Sequence, residues 1–188
     1  MKRTIALIGV DGTGKSTIIN RLKELFGDDA ITMYMGSVRF EDPNIEELVK
    51  KPRLNIIESV KYIFLVYKCF CGRYWRAVKT NKIVLFDRYV HERYLNATGK
   101  RKLINLVLYK YLFPRTSGIV YLYCSAETSL KRKDDIPNAE VFRALKKRFD
   151  NYFLNHKDCL CLDTDTKSVD EITNESYNYI IAKIYGKL

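Results

Sequence analysis

Five short apolar runs bounded by turn residues punctuate the chain: IALIGV (5–10), AITMYM (30–35), KIVLFD (82–87), GIVYLYC (118–124) and CLCLD (159–163). Their hydrophobicity is nearly continuous rather than alternating, the pattern of strands covered on both faces in a parallel sheet. The intervening segments carry helical spacing. Over 54–78 the apolar positions Ile56, Ile57, Val60, Ile63, Phe64, Tyr67, Phe70, Cys71, Tyr74, Trp75 and Val78 recur every three to four residues and predict one long amphipathic helix. After the first run, KSTIINRLKELF predicts a helix with Ile18, Ile19, Leu22, Leu25 and Phe26 turned inward. Asp42 before Pro43 reads as an N-cap and first helical residue, Ser125 as a second cap, and Ser168 with Glu171 as a capping box. Strand alternating with helix implies an α/β three-layer sandwich around a parallel sheet.

Composition narrows this picture. A chain of 188 residues, 47% hydrophobic, is of a size for one core, and without linkers or repeats it reads as a single domain over 1–188. No apolar stretch reaches the length of a membrane span, and the expected location is cytoplasmic. The five cysteines, an odd number with no C-x-x-C pair, read as small buried hydrophobes in a reducing compartment rather than as metal ligands. The net charge of +11, from 33 basic and 22 acidic residues, favours an anionic ligand. Nucleotide phosphates and nucleic acid both fit that charge, while clusters such as Lys50 with Lys51 also read as solvated helix surface.

The chemistry is most concentrated at residues 9–17, GVDGTGKST. Gly9 to Ser16 has the spacing G-x-x-x-x-G-K-[ST], placed between a predicted strand and a predicted helix, as a phosphate-binding loop requires. Glycines at 9, 12 and 14 let the backbone turn its N–H groups toward phosphate oxygens, and the helix N-terminus adds partial positive charge. The set that would hold a nucleoside triphosphate is therefore Gly9, Gly12, Thr13, Gly14, Lys15, Ser16 and Thr17. Lys15 can bridge the outer phosphates, and the Ser16 hydroxyl can join a Mg²⁺ shell.

A second signal is FDRY at 86–89. Asp87, at a strand end, can hold Mg²⁺ with Ser16, and Arg88 can clamp an anionic substrate oxygen. No glutamate follows Asp87, as a water-activating ATPase would want, and NKIV lacks the aspartate of a guanine-reading N-K-x-D. A third signal is the basic segment SLKRKDDIPNAEVFRALKKRFDNYF, where residues 131–143 read as a lid carrying Arg132 and Arg143. Arg73, Tyr74 and Tyr89 are candidates for a slot that stacks a base, against the alternative of an aromatic core stripe. His91 and His156 read as helix-surface residues without a catalytic part.

With these motifs in order, the chain resembles the thymidylate kinase-like branch of P-loop kinases. GVDGTGKST and FDRY carry the resemblance most specifically, and the basic segment and LDTDTKSVDEI more loosely. The resemblance implies a five-stranded parallel sheet of order 2-3-1-4-5. It implies that Asp11 faces the acceptor's sugar, that Arg88 contacts its phosphate, and that Arg132 or Arg143 assists transfer, since position 12 is glycine rather than arginine. It also implies that backbone near DTDT (163–166) lies against adenine, and that homodimerisation through exposed helices is usual. The chain departs from the family after the second strand, with MYMGSVRF in place of an R-E-P-G-G-like turn, and after FDRY, with VHERYLNATG in place of a stretch ending in A-Y-Q.

The expectation is ATP- and Mg²⁺-dependent phosphoryl transfer to a nucleoside monophosphate, deoxythymidylate first. Transfer to a hydroxyl of a nucleoside, sugar or modified DNA base, and a non-catalytic nucleotide-binding regulator, are the alternatives. A hydroxyl acceptor needs a carboxylate near it, and Asp11 or Asp87 would have to serve.

Overall fold

A computed structural model describes residues 3–97, 100–133 and 138–186, with the side chains of Lys100 and Arg101 outside the description. Its centre is a parallel sheet of five strands among the described residues: β1 (Thr4–Ile8), β2 (Ala30–Tyr34), β3 (Ile83–Asp87), β4 (Gly118–Tyr123) and β5 (Cys159–Asp163), in the order β2-β3-β1-β4-β5. Each predicted strand is present to within a residue or two at either end. β1 is buried throughout, and β3 and β4 are buried except at their last residues, as continuous apolar runs require. β2 and β5 form the edges and are only partly covered.

Two apolar layers sandwich the sheet. On one face, α1 (Lys15–Phe26) and α8 (Val169–Tyr185) cover Ile5, Leu7, Leu85, Val120 and Leu122. Ile18, Ile19, Leu22 and Phe26 of α1 point into this layer as expected, whereas Leu25 is turned out and 55% exposed. On the other face lie α3 (Ile56–Val78), α4 (His91–Leu95) and α7 (Ala139–Phe153), which bury Phe70, Tyr74, Tyr94, Phe149 and Phe153 against Phe86 and Tyr121. α2 (Pro43–Lys50), α5 (Lys100–Asn105), a π-helical stretch (Leu106–Leu112) and α6 (Ala126–Arg132) complete the helices among the described residues. Asp42 caps α2 with Pro43 in its first turn, Ser125 caps α6, and Ser168 with Glu171 forms the capping box of α8.

The long helix departs from expectation at its start. Its second half is a core element, but Ile56, Ile57, Val60 and Phe64 stand in solvent, with Ile56 84% exposed. Periodicity reports that a stripe exists and not what covers it. Of the five cysteines, Cys124 is buried and the other four are partly so. No helix among the described residues is long and apolar enough to cross a membrane.

Candidate active site

The register of the sheet assembles the site. β3 lies beside β1 with Asp87 opposite Leu7, and beside β2 with Asp87 opposite Tyr34. The strand that ends in Asp87 and Arg88 thus stops where the chain leaves β1 for the glycine loop. At the C-terminal edge of a parallel sheet, loops from neighbouring strands converge and ligands bind.

The loop's shape depends on close backbone approaches. Gly12 has φ of +84°, and a Cβ there would stand 2.7 Å from the Ser129 carbonyl oxygen. At Gly9 a Cβ would collide with the Leu122 carbonyl and the Thr13 hydroxyl. Thr13 is fully buried and donates to the Val10 carbonyl at 2.8 Å, so its side chain braces the loop instead of facing a ligand. Gly14 takes the N-cap position, and Lys15, Ser16 and Thr17 open α1 with their N–H groups at the helix's positive end.

Lys15 is 7% exposed; its Nζ donates to the Val10 carbonyl at 2.7 Å and stands 3.9 Å from Asp11 Oδ1. Burial, aided by the nearby Arg88 charge and opposed by Asp11, lowers its pKa to about 8. A phosphate arriving here would meet a partly desolvated ammonium held, among the described residues, by a carbonyl and a distant carboxylate.

Arg88 adopts φ of +64°, a left-handed backbone that a non-glycine residue rarely accepts. Three contacts hold it there: its N–H donates to the Leu7 carbonyl at 3.0 Å, Nη1 reaches both Glu92 carboxylate oxygens at 2.9 and 3.1 Å, and Nη2 reaches Asp11 at 2.5 Å. Burial opposes its charge, but Glu92 and Asp11 outweigh burial and hold the guanidinium above its ordinary pKa. Glu92 is itself pushed up by burial, against the pull of Arg88.

Asp87 has its pKa raised, chiefly by burial, and its carboxylate makes no ion pair among the described residues. An unpaired, half-buried carboxylate lining the same cleft as the Ser16 hydroxyl at the start of α1 fits Mg²⁺. That ion is commonly held by one or two carboxylates together with substrate phosphates, rather than by an all-protein cage. No cluster of three or more acidic, His or Cys ligands occurs among the described residues, so a caged metal has no such site there.

These groups line one cleft of about 680 Å³, bounded by residues 11–18, Tyr34, Asp87, Arg88, Arg132, Lys133, Thr164 and the start of α8. Arg132 reaches it by donating to the Gly12 carbonyl at 3.3 Å, to the Thr164 hydroxyl at 3.2 Å and to the Thr164 carbonyl at 3.1 Å. It thereby ties the α6 end to the glycine loop and to the DTDT turn. Arg143 lies apart from this lining: it is 52% exposed and 3.8 Å from Glu127. The middle of the predicted lid, 134–137, lies outside the described residues.

Three expected acceptor contacts are placed elsewhere. Arg73 is 6% exposed and fully engaged: Nε pairs with Glu41 at 2.7 Å, while Nη1 and Nη2 donate to the carbonyls of Tyr34, Gly36 and Ser37. It clamps the turn after β2 and offers no cation to a ligand. Tyr74 is fully buried and stacked on Phe86, with centroids 5.9 Å apart. Tyr89 is 2% exposed and donates to the Pro114 carbonyl at 2.7 Å. The base-stacking slot is thus replaced by an aromatic core, because the stripe faces the sheet. His91, expected on a surface, packs on Phe153 with centroids 5.3 Å apart, and its Nδ1 is buried.

The sequence reading missed a second cavity, of about 400 Å³, lined by Ser37, Tyr62, Val66, Glu92, Arg93, Asn96 and Asn105. Arg93 lies over the Phe70 ring at 4.8 Å, and its carbonyl accepts from the Asn105 amide at 3.2 Å. The Arg88–Glu92 pair is the wall between this cavity and the cleft. One signal was available: in HERYLN, Glu92, Arg93 and Asn96 fall at helical spacing directly after FDRY.

No protein-family model matches the chain, and no curated protein does. Solved structures match over nearly its whole length. Deoxyadenosine kinase from M. mycoides, solved with bound dATP, has a TM-score of 0.62 at 17% identity, covering 93% of this chain and 97% of that one. Thymidylate kinase from Ehrlichia chaffeensis has a TM-score of 0.58 at 15% identity, covering 93% and 96%. The chain therefore has the fold of the P-loop kinases. Its sheet order is 2-3-1-4-5, the order implied by its resemblance to the thymidylate kinase-like branch.

Proposed function

We propose that this protein is an ATP-dependent kinase whose phosphoryl acceptor is a nucleoside monophosphate, deoxythymidylate first. The observation that carries the reading is the convergence of Lys15, Asp87 and the Asp11–Arg88 pair on one cleft at the C-terminal edge of β1 and β3. Phosphoryl transfer requires mainly positioning and charge stabilisation, and these groups supply both. Lys15 and the loop N–H groups hold the donor phosphates, Ser16 and Asp87 would hold Mg²⁺, and Arg132 lies against the loop where it can meet charge developing in transfer. Bound Mg²⁺ would neutralise phosphate charge. The acceptor sits in the 400 Å³ cavity, and its reacting end passes the Arg88–Glu92 wall toward the donor.

A second reading, with a hydroxyl acceptor, is favoured by Glu92. Arg88 already meets two carboxylates, which leaves less positive charge for an incoming phosphate, and Glu92 lines the acceptor cavity where an alcohol proton would need a base. The test is a set of reactions with γ-labelled ATP and nucleoside monophosphates, nucleosides, sugars or DNA. Label on a monophosphate supports the first reading, and label on a nucleoside, sugar or DNA supports the second. Steep salt dependence in the DNA arm would tie the +11 charge to a polynucleotide. ATP binding without transfer to any acceptor would leave a nucleotide-binding regulator and sink the kinase.

The exposed start of α3, with Ile56, Ile57, Val60 and Phe64, supports self-association of this kinase as a homodimer. Phe64→Asp should then shift sedimentation from dimer to monomer, and a monomeric parent chain would remove the proposal.

A further inference from the structure

A further cavity belongs to neither the cleft nor the acceptor pocket. It holds about 430 Å³ and lies among α4, the end of the π-helical stretch, the start of β4 and the end of α7. It uses Tyr89, His91 and Tyr94, whereas the acceptor pocket uses Glu92, Arg93 and Asn96, so α4 lies between the two, and Tyr109 lines both. It also reaches Ser117, Gly118 and Ile119 at the N-terminal end of β4, the opposite edge of the sheet from the glycine loop.

Its chemistry is divided. The inner wall is aromatic, with buried Tyr109 and Phe113. The rim carries three cations, Lys110, Arg115 and Lys183, against a single carboxylate, Asp158. Asp158 is taken by Lys183 at 3.6 Å. Arg115 is exposed and makes no ion pair among the described residues. Two further groups have hydrogen-bonding capacity left. Tyr94 donates to the Tyr152 hydroxyl at 2.9 Å, which leaves the Tyr152 proton for another acceptor. His91 Nδ1 is buried without a hydrogen-bond partner among the described residues, and burial keeps the ring neutral by lowering its pKa to about 3.

An aromatic interior behind a cationic rim is complementary to a flat ring bearing an anion. The volume lies within the range of small-molecule pockets. We propose that this cavity is an effector site that takes a ring-bearing phosphate, seats the anion against Arg115 and Lys110, and acts on the Arg88–Glu92 pair through the intervening Tyr89–His91 segment. The second half rests on the kinase reading, in which that pair separates donor from acceptor. The first half does not. An occupant would press on the residues between Arg88 and Glu92, where a left-handed backbone leaves the chain few alternatives.

The test uses the full chain with its cleft filled by Mg·ADP, and phenyl phosphate as the probe. Backbone amide resonances and the side-chain resonances of histidine, tyrosine, arginine and glutamate are followed by NMR, with inorganic phosphate and benzoate as separate arms. Phenyl phosphate is expected to shift His91, His156 and Tyr152 in a saturable way, and Arg115→Glu to weaken its binding about tenfold while Mg·ADP affinity stays unchanged. Benzoate binding as tightly would make the anion a carboxylate and overturn the phosphate assignment. Inorganic phosphate binding as tightly would reduce the site to an adventitious ion only. Shifts confined to residues 9–17, or equal affinity in Arg115→Glu, would overturn the site. Saturation without any shift at Arg88 or Glu92 would overturn the effector role. None of these readouts needs turnover, so a chain that fails every kinase assay still decides whether the site exists.

Discussion

On the proposed function the cleft has a donor end, at the glycine loop, and an acceptor end, at Arg88, which are built from the same sheet edge but treat their charges in opposite ways. At the donor end, Lys15 is buried with one carbonyl as its close partner, and Asp87 has no ion pair among the described residues. At the acceptor end, Arg88 meets two carboxylates. A group left short of partners is poised for a ligand, whereas a saturated one must exchange a partner to bind. On that reading the donor end is preorganised, and the acceptor end selects through what it must give up.

The sharpest way to break this contrast is at Lys15. Lys15→Met should lower phosphoryl transfer by about 10³-fold or more, because it removes a charge that acts on the phosphates in a dry site. The folded chain should not suffer in proportion. A lysine whose folded pKa is about 8 against an unfolded value near 10.5 burdens folding with roughly 3 kcal/mol while it stays charged below pH 8. Because the unfolded chain holds the extra proton between those values, stability contributed by this residue rises with pH across that window. Urea titrations from pH 7 to 10 should show that rise in the parent chain and a flatter profile in Lys15→Met. Unchanged turnover in the variant would remove the donor site.

Glu92→Gln probes the other end. Under the monophosphate reading, Arg88 loses one carboxylate partner, so the monophosphate KM should fall several-fold while kcat stays within about tenfold. A fall in kcat of about 10²-fold or more, with little change in KM, would identify Glu92 as a base and move the acceptor to a hydroxyl. Arg73→Met should act on stability rather than chemistry. It strands Glu41 and three carbonyls, at a cost of about 2–4 kcal/mol, with kcat per folded molecule largely retained. A selective loss of acceptor affinity with an unchanged melting temperature would restore it as a ligand.

The same asymmetry explains what the sequence made legible. The loop, Asp87 and the five strands depend on local signals: glycine spacing, a strand-ending carboxylate and continuous apolar runs. The placements of Arg73, Tyr74 and Tyr89 depend on which side of α3 and of the turn after β3 faces the sheet, and helical spacing alone does not fix that rotation. His91 shows the same limit, since a polar residue on a five-residue helix gave no hint that Phe153 and Tyr152 would enclose it. Glu92 was legible in principle, because its spacing from Arg88 is that of a helical ion pair, but only the left-handed turn at Arg88 shows that one guanidinium reaches both it and Asp11.

The smallest effect, and the finest test of the contrast, concerns the two arginines of the basic segment, Arg132 and Arg143. Arg132 spans the Gly12 carbonyl and the Thr164 turn and lines the cleft; Arg143 is solvent-exposed beside Glu127 at 3.8 Å. Exposed pairs of that kind are worth well under about 1 kcal/mol. Arg132→Ala should therefore lower kcat by about tenfold while ADP affinity falls less, since a group that meets developing charge matters more in transfer than in ground-state binding. Arg143→Ala should change either quantity by less than about twofold if the arrangement of charges here persists during turnover. A reversal, with Arg143 dominant in kcat and Arg132 silent, would mean that the basic segment reorganises on nucleotide binding and brings α7 over the cleft. Equal losses in kcat and ADP affinity for Arg132→Ala would reduce it to a ground-state contact and leave transfer to Lys15 and the loop N–H groups.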